Sequence, residues 1–196
     1  MSKPLILASS SPFRKELLQR LKLPFDTASP NIDETAFVHE SPIDLVQRLA
    51  ETKAAALAQQ FPEHYIIGSD QVAVFNEQIL GKPYTEEKAF AQLQQFSGSK
   101  VMFYTGLSVY DSKANKHITT VAQYAVYFRT LTDTEIRAYI KEEQPLQCAG
   151  SFKSEGLGVC LFERMAGDDP TSLIGLPLIQ LSQILRQLGI SPLSAN

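Results

Sequence analysis

YIIGSDQVAVF, Tyr65 to Phe75, decides how the rest of the chain is read. Tyr65, Ile66 and Ile67 are bulky, β-favouring and uninterrupted, the pattern of a buried strand. Gly68 and Ser69 break the apolar run, Asp70 and Gln71 follow, and Val72 to Phe75 resume it. A carboxylate inside an apolar strand is costly unless a charge or hydrogen bond meets it. Asp70 is therefore either a satisfied structural acid or the working group of a site. Gly68 permits close approach of another backbone or a ligand, which favours the site.

Upstream of this strand, Ser41-Pro42 opens a long helix with an N-cap and a proline at its first position. Leu45, Val46, Leu49, Ala50 and Ala56 mark its apolar face, and Lys53, seven residues after Val46, lies near that face. Such a lysine either snorkels along the apolar stripe or reaches into a cleft to neutralise phosphate oxygens. Spacing leaves both open. Asn31 to Thr35 is a polar connection carrying Asp33 and Glu34. Adjacent loop acids are usually just solvated; paired with Asp70, they would instead hold a divalent cation.

Leu5 to Ala8 reads as a short buried strand, and Pro24 to Ser29 as a second. Between them Ser9, Ser10 and Ser11 precede Pro12 and an amphipathic helix carrying Phe13, Leu17, Leu18 and Leu21. Strand, hydroxyl-rich turn and helix together aim backbone N–H groups and the positive helix end at the turn, a ready anion site. Arg14 and Lys15 in the first helical turn oppose that dipole, a cost that a bound phosphate would offset. The alternative is a capped helix with solvated basic residues. No Gly-rich Walker pattern is present.

Downstream, Asn76-Glu77-Gln78 reads as a hairpin turn and Gln78 to Leu80 as its return, with Lys82 held between Gly81 and Pro83. Thr85 caps a helix running to about Phe96. Val101 to Tyr110 and Thr119 to Phe128 read as an antiparallel pair with one solvated face. Thr132 and Glu135 form a capping box. CAGSFKSEGLG, Cys148 to Gly158, suits neither helix nor strand and reads as a functional loop. Val159 to Phe162 reads as a short strand, Gly167 to Thr171 as another loop, and Leu178 to Leu188 as a closing helix.

The 196 residues suit one domain, 1–196, or two lobes sharing one sheet. Helices and strands intermix throughout, which gives an α/β class with a mixed sheet. A net charge of -3 gives no footprint for polymeric nucleic acid, and no apolar run reaches membrane-spanning length. Met-Ser-Lys-Pro leads straight into LILA, too short for a signal-peptide core, so cytoplasm is the expected compartment. Cys148 and Cys160 read as free thiols. His39, His64 and His117 are scattered, without zinc spacing, so any metal would be magnesium or manganese on oxygen ligands. No Ser–His or Cys–His nucleophile is evident. Cations (Arg14, Lys53, Lys82) and acids (Glu34, Asp70) on separate turns suit a polyphosphate–metal site, with Asp70 as general base on water.

These pieces together resemble the Maf family of nucleoside triphosphate pyrophosphatases. The matching stretches are LILASSSPFRKELL (Leu5–Leu18), Asp33-Glu34, RLAETKA (Arg48–Ala54), IIGSDQV (Ile66–Val72), GKP (Gly81–Pro83), TGL (Thr105–Leu107) and GLPL (Gly175–Leu178), in the family's order along nearly the whole chain. The resemblance implies a long curved mixed sheet flanked by helices, with two lobes around a nucleotide cleft, as in inosine triphosphatases. It implies hydrolysis of a nucleoside triphosphate to the monophosphate and pyrophosphate with a divalent cation, Mg or Mn. By position Asp70 matches the family's proton acceptor, and Ser9, Arg14, Glu34, Lys53 and Lys82 match its other active-site positions. Charge assigns Ser9, Arg14, Lys53 and Lys82 to the triphosphate, and Glu34 with Asp70 to the metal.

Three further positions, Phe13, Gln71 and Glu155, resemble the family branch acting on 7-methyl-GTP. The branch preferring dTTP and UTP has arginine, threonine and glutamine there. The chemistry agrees, because N7-methylated guanine is cationic and an aromatic face attracts it. A carboxylate such as Glu155 accepts from both N1–H and the exocyclic amine. The branch usually has tryptophan where this chain has Phe13, a weaker partner that softens discrimination against GTP. The other readings are a pyrophosphatase for pyrimidine or other modified nucleotides, and a nucleotide-binding regulator of cell division. The family also suggests a homodimer.

Overall fold

The computed structural model describes residues 3–193. Met1 and Ser2 of the Met-Ser-Lys-Pro start, and residues 194–196 of the expected 1–196 domain, lie outside the described residues. Seven strands form one mixed sheet: β1 (Leu5–Ala8), β2 (Phe25–Ala28), β3 (Tyr65–Phe75), β4 (Gln78–Leu80), β5 (Lys100–Asp111), β6 (Lys116–Phe128) and β7 (Phe162–Gly167). The order is β2-β1-β3-β5-β6-β7, with β4 paired to β3 off that path. β1 runs parallel to β2 and β3, whereas β4 is antiparallel to β3 and β7 antiparallel to β6. The five α-helices among the described residues are α1 (Pro12–Gln19), α2 (Pro42–Ala55), α3 (Glu86–Phe96), α4 (Asp133–Glu143) and α5 (Leu178–Gln187). The first four are capped as their sequences require. Ser11, Ser41, Thr85 and Thr132 each accept from a backbone N–H three residues on, and Thr132 closes its capping box with Glu135. No helix among the described residues is long and apolar enough to cross a membrane.

The chain divides into two compact units. The first comprises Met1–Asp70, Thr105–Ala122 and Asp169–Asn196. Its β1 is buried on both faces. Leu5 and Leu7 pack with Leu17 and Leu18 of α1 and with Leu181, Ile184 and Leu185 of α5. Ile6 and Ala8 pack with Ala54, Leu57 and Ile66. Helix α2 lies unusually close to the sheet, and two glycines make that possible. A Cβ at Gly68 would stand 2.1 Å from the Ala50 carbonyl oxygen, and one at Gly106 would stand 2.1 Å from that of Val46. The close approach expected at Gly68 is thus to the backbone of α2.

The second unit comprises Gln71–Tyr104 and Gln123–Asp168. Its core is aromatic. Phe96, Phe128, Phe152 and Phe162 meet edge-on or tilted, with Phe75 and Phe103 at the ends of the cluster and ring centroids 4.8–5.6 Å apart. Helices α3 and α4 pack together beside it.

Three expectations are corrected. β5 does not keep a solvated face along its length: Thr105 to Tyr110 are buried without alternation, because α2 covers the side that the sequence pattern would leave wet. Val159 to Leu161 belong to a 3-10 turn, Leu157–Leu161, and the strand starts only at Phe162. There the chain doubles back, so tightly that a Cβ at Gly158 would meet the Lys153 carbonyl at 2.2 Å. The Gly167–Thr171 stretch is not wholly loop, since Asp169 caps a 3-10 turn over Pro170–Ile174.

Candidate active site

The first unit gathers four of the expected residues. The packing of α2 on Gly68 carries Lys53 over the sheet, where its side chain is buried. Lys53 Nζ lies 2.6 Å from Asp70 Oδ1 and 2.9 Å from Glu34 Oε1. The Lys53 ammonium thus ends against two carboxylates and does not run along the apolar stripe to solvent. A buried ammonium is tolerable only when opposite charge meets it, and here two carboxylates do. Asp70 is itself only 8% exposed, whereas the Glu34 side chain is 60% exposed at the rim.

Arg14 completes the group. Its Nε donates to the Gly175 carbonyl at 2.8 Å. Burial pushes the Arg14 guanidinium below its ordinary value, and the charges of Asp70 and Glu34 push it back up; an arginine remains cationic through such shifts. The helix-dipole penalty at Arg14 is thus met by these two carboxylates. Two cations and two carboxylates form a locally neutral cluster. Ser9 sits half-buried at the start of the α1 turn, its Oγ accepting from the Ser11 N–H at 3.1 Å. Phe13 is half-buried in the first turn of α1, whose buried face is carried by Leu17 and Leu18.

The other candidates belong to the second unit. Gln71 is half-buried and follows Asp70 along β3, so its side chain takes the opposite face of the strand. Lys82 is exposed beyond β4, and Glu155 is exposed just before the 3-10 turn Leu157–Leu161. Both act on Cys148. Burial first, then the Glu155 charge, pushes that thiol up to about 11, against Lys153 and Lys82. Cys148 and Cys160 are free thiols, as expected.

Residues 4–188 match the family profile described as Maf-like protein. The chain belongs to the Maf family. A relative from Pseudoalteromonas translucida strain TAC 125, named 7-methyl-GTP pyrophosphatase, is 59% identical across 100% of this chain and 97% of its own length. A second of that name, from Colwellia psychrerythraea strain 34H, is 54% identical across 98% of this chain and 96% of its own. Among solved structures, a HAM1 protein from Coxiella burnetii shares the fold. Its TM-score is 0.56 at 14% identity, over 94% of this chain and 99% of the other.

Several residues that hold this cluster together escaped the sequence reading. Ser69 Oγ lies 2.8 Å from the Gly106 carbonyl and 2.9 Å from that of Gly175, so its one proton is shared between two segments. The Gly175 carbonyl therefore links Ser69, beside Asp70, to Arg14. The loop bearing Gly175 is fixed in turn by buried Asp169. Its carboxylate accepts from the N–H and hydroxyl of Thr171 at 3.0 and 2.6 Å, and from the Ile179 N–H at 2.7 Å. The signals were present in the motifs IIGSDQV and GLPL, but nothing local says what they touch. A serine hydroxyl also meets a histidine ring, Ser108 Oγ to His117 Nδ1 at 2.9 Å. Ser108 is fully buried and also accepts from the Thr119 hydroxyl, so this is a satisfied structural pair. Among the described residues no three His, Cys, Asp or Glu side chains are grouped to hold an ion.

Proposed function

We propose that this Maf protein hydrolyses 7-methyl-GTP to 7-methyl-GMP and pyrophosphate, removing a modified nucleotide. The observation that carries the reaction is the convergence of Asp70, Glu34, Lys53 and Arg14. The substrate is supported by the name 7-methyl-GTP pyrophosphatase, shared by relatives at 54–59% identity over nearly full length. Asp70 accepts a proton from water as the water oxygen attacks the α-phosphorus. The bond between that phosphorus and the α,β-bridging oxygen breaks, and pyrophosphate departs with the bonding electrons. Lys53 and Arg14 supply fixed positive charge to the triphosphate, with Ser9 and Lys82 assigned to the same role by their chemistry.

The donor set fits a hard divalent cation, Mg or Mn. Asp70 on β3 and Glu34 on the irregular segment before α2 both bring a carboxylate oxygen to Lys53 Nζ, and waters and phosphate oxygens would supply the remaining ligands. When bound, the ion supplies charge stabilisation on the phosphorus oxygens. Phe13, Gln71 and Glu155 are proposed to select the base: Phe13 by attraction for the cationic ring, and Glu155 by accepting from the guanine N–H groups.

The test is product analysis. The purified protein with Mg or Mn is given 7-methyl-GTP, GTP, dTTP and UTP separately. Release of 7-methyl-GMP and pyrophosphate with little turnover of dTTP or UTP is expected. Preferential turnover of the pyrimidine nucleotides would discard the substrate assignment and keep the reaction.

A further inference from the structure

Glu34 reaches Lys53 from a segment with no regular structure. No helix or strand forms over residues 29–41. A carboxylate on such a segment keeps a fixed position only if the backbone beside it is held, because ordering each residue costs about 1–2 kcal/mol of entropy. Asp33 does part of this locally, its Oδ1 accepting from the Thr35 N–H at 2.9 Å. The wider hold comes from Arg48 on α2. Its Nη2 donates to the Thr35 carbonyl at 3.1 Å. Its Nε and Nη2 fork onto Glu40 Oε1 and Oε2 at 2.6 and 2.7 Å. Its guanidinium carbon lies 3.9 Å from the centre of the Phe37 ring. Glu40 Oε2 also accepts from the Phe37 N–H at 2.9 Å. One guanidinium thus grips residues 35, 37 and 40 by three different contacts. It does so five residues before Lys53 on the same helix.

We infer that Arg48 is a positioning residue: it straps segment 33–41 to α2 so that Glu34 is presented to Lys53 and to the divalent-cation site. The link to the cation rests on the function proposed above; the strap itself does not. The arrangement needs arginine. A lysine would keep the charge but lose the two-pronged contact with Glu40 and the flat stack on Phe37. The Phe37 ring, 64% exposed, is otherwise poorly covered.

The test compares Arg48→Lys, Arg48→Ala, Glu34→Gln and the double variant Arg48→Ala/Glu34→Gln with the wild type. Three readouts are used: Mn2+ binding by water-proton relaxation, chymotrypsin cleavage after Phe37, and thermal melting. Arg48→Ala should weaken Mn2+ binding roughly tenfold, as loss of a supporting residue around a metal ligand does. Arg48→Lys should not restore it. In the Glu34→Gln background, Arg48→Ala should add less than about twofold, because coupled residues are not additive. Cleavage after Phe37 should speed up in both Arg48 variants while each still melts cooperatively. If the two effects on Mn2+ multiply, or if cleavage is unchanged, the inference is overturned. Should Arg48→Ala fail to fold, Arg48→Lys carries the same comparison. A wild type that hydrolyses no nucleotide or binds no Mn2+ would defeat the functional reading alone. The cleavage rate would then decide the strap, faster in the variants supporting it and unchanged overturning it.

Discussion

Lys53 Nζ stands 2.6 Å from Asp70 Oδ1, with both side chains buried. Neither charge would be stable there alone. Removing one partner of a buried pair typically costs about 3–5 kcal/mol, because the other charge is left uncompensated. Lys53→Met keeps the length and volume of the side chain and deletes the charge. Denaturant unfolding should show a loss near the lower end of that range, since Arg14 still feels Asp70. Turnover of 7-methyl-GTP should fall by about 100-fold or more, the size of effect that follows loss of one preorganised charge-stabilising donor. Steady-state kinetics at saturating metal reads this directly.

Gly68 is where packing and the site meet. A methyl group there would have to push away the Ala50 carbonyl. Gly68→Ala should therefore cost about 1–3 kcal/mol in stability, as overpacking does. Because α2 carries Lys53, activity should fall further than the stability loss explains. Urea unfolding and kinetics on the folded fraction separate the two. A Gly68→Ala variant with wild-type stability would contradict the packing account.

Selectivity should follow the base-contacting residues. Glu155→Gln with Gln71→Thr removes a carboxylate acceptor suited to guanine. The ratio of kcat/KM for 7-methyl-GTP over dTTP should drop by roughly 10- to 150-fold, the equivalent of one hydrogen bond to a charged group. Phe13→Trp should move the ratio of 7-methyl-GTP over GTP the other way, since tryptophan is the stronger partner for a cation. Competition assays with paired substrates measure both.

Much of this architecture is legible without coordinates. The four capped helices announce themselves through Ser11-Pro12, Ser41-Pro42, Thr85 and the Thr132–Glu135 box, because caps act over three residues. Asp70 stands out because a carboxylate interrupts an apolar strand. What resists reading is everything decided at a distance. Helical spacing gives the direction of Lys53 but not its partner, seventeen residues away on another element. Ser69 shares its proton with carbonyls 37 and 106 residues away. Burial of Thr105 to Tyr110 on both faces depends on α2 lying over Gly106. The apolar run Val159 to Leu161 fits strand and 3-10 turn equally, and only the fold around Gly158 selects the turn.

The central claim is that Asp70 is the base on which the reaction turns, and Asp70→Asn tests it most directly. The amide keeps the shape and one acceptor oxygen for Lys53 but cannot take the water proton. The account predicts a cooperatively folded protein, unchanged in secondary structure by circular dichroism, with 7-methyl-GMP release reduced by a factor of about 100 to 10,000. Full release of 7-methyl-GMP and pyrophosphate by Asp70→Asn would contradict it.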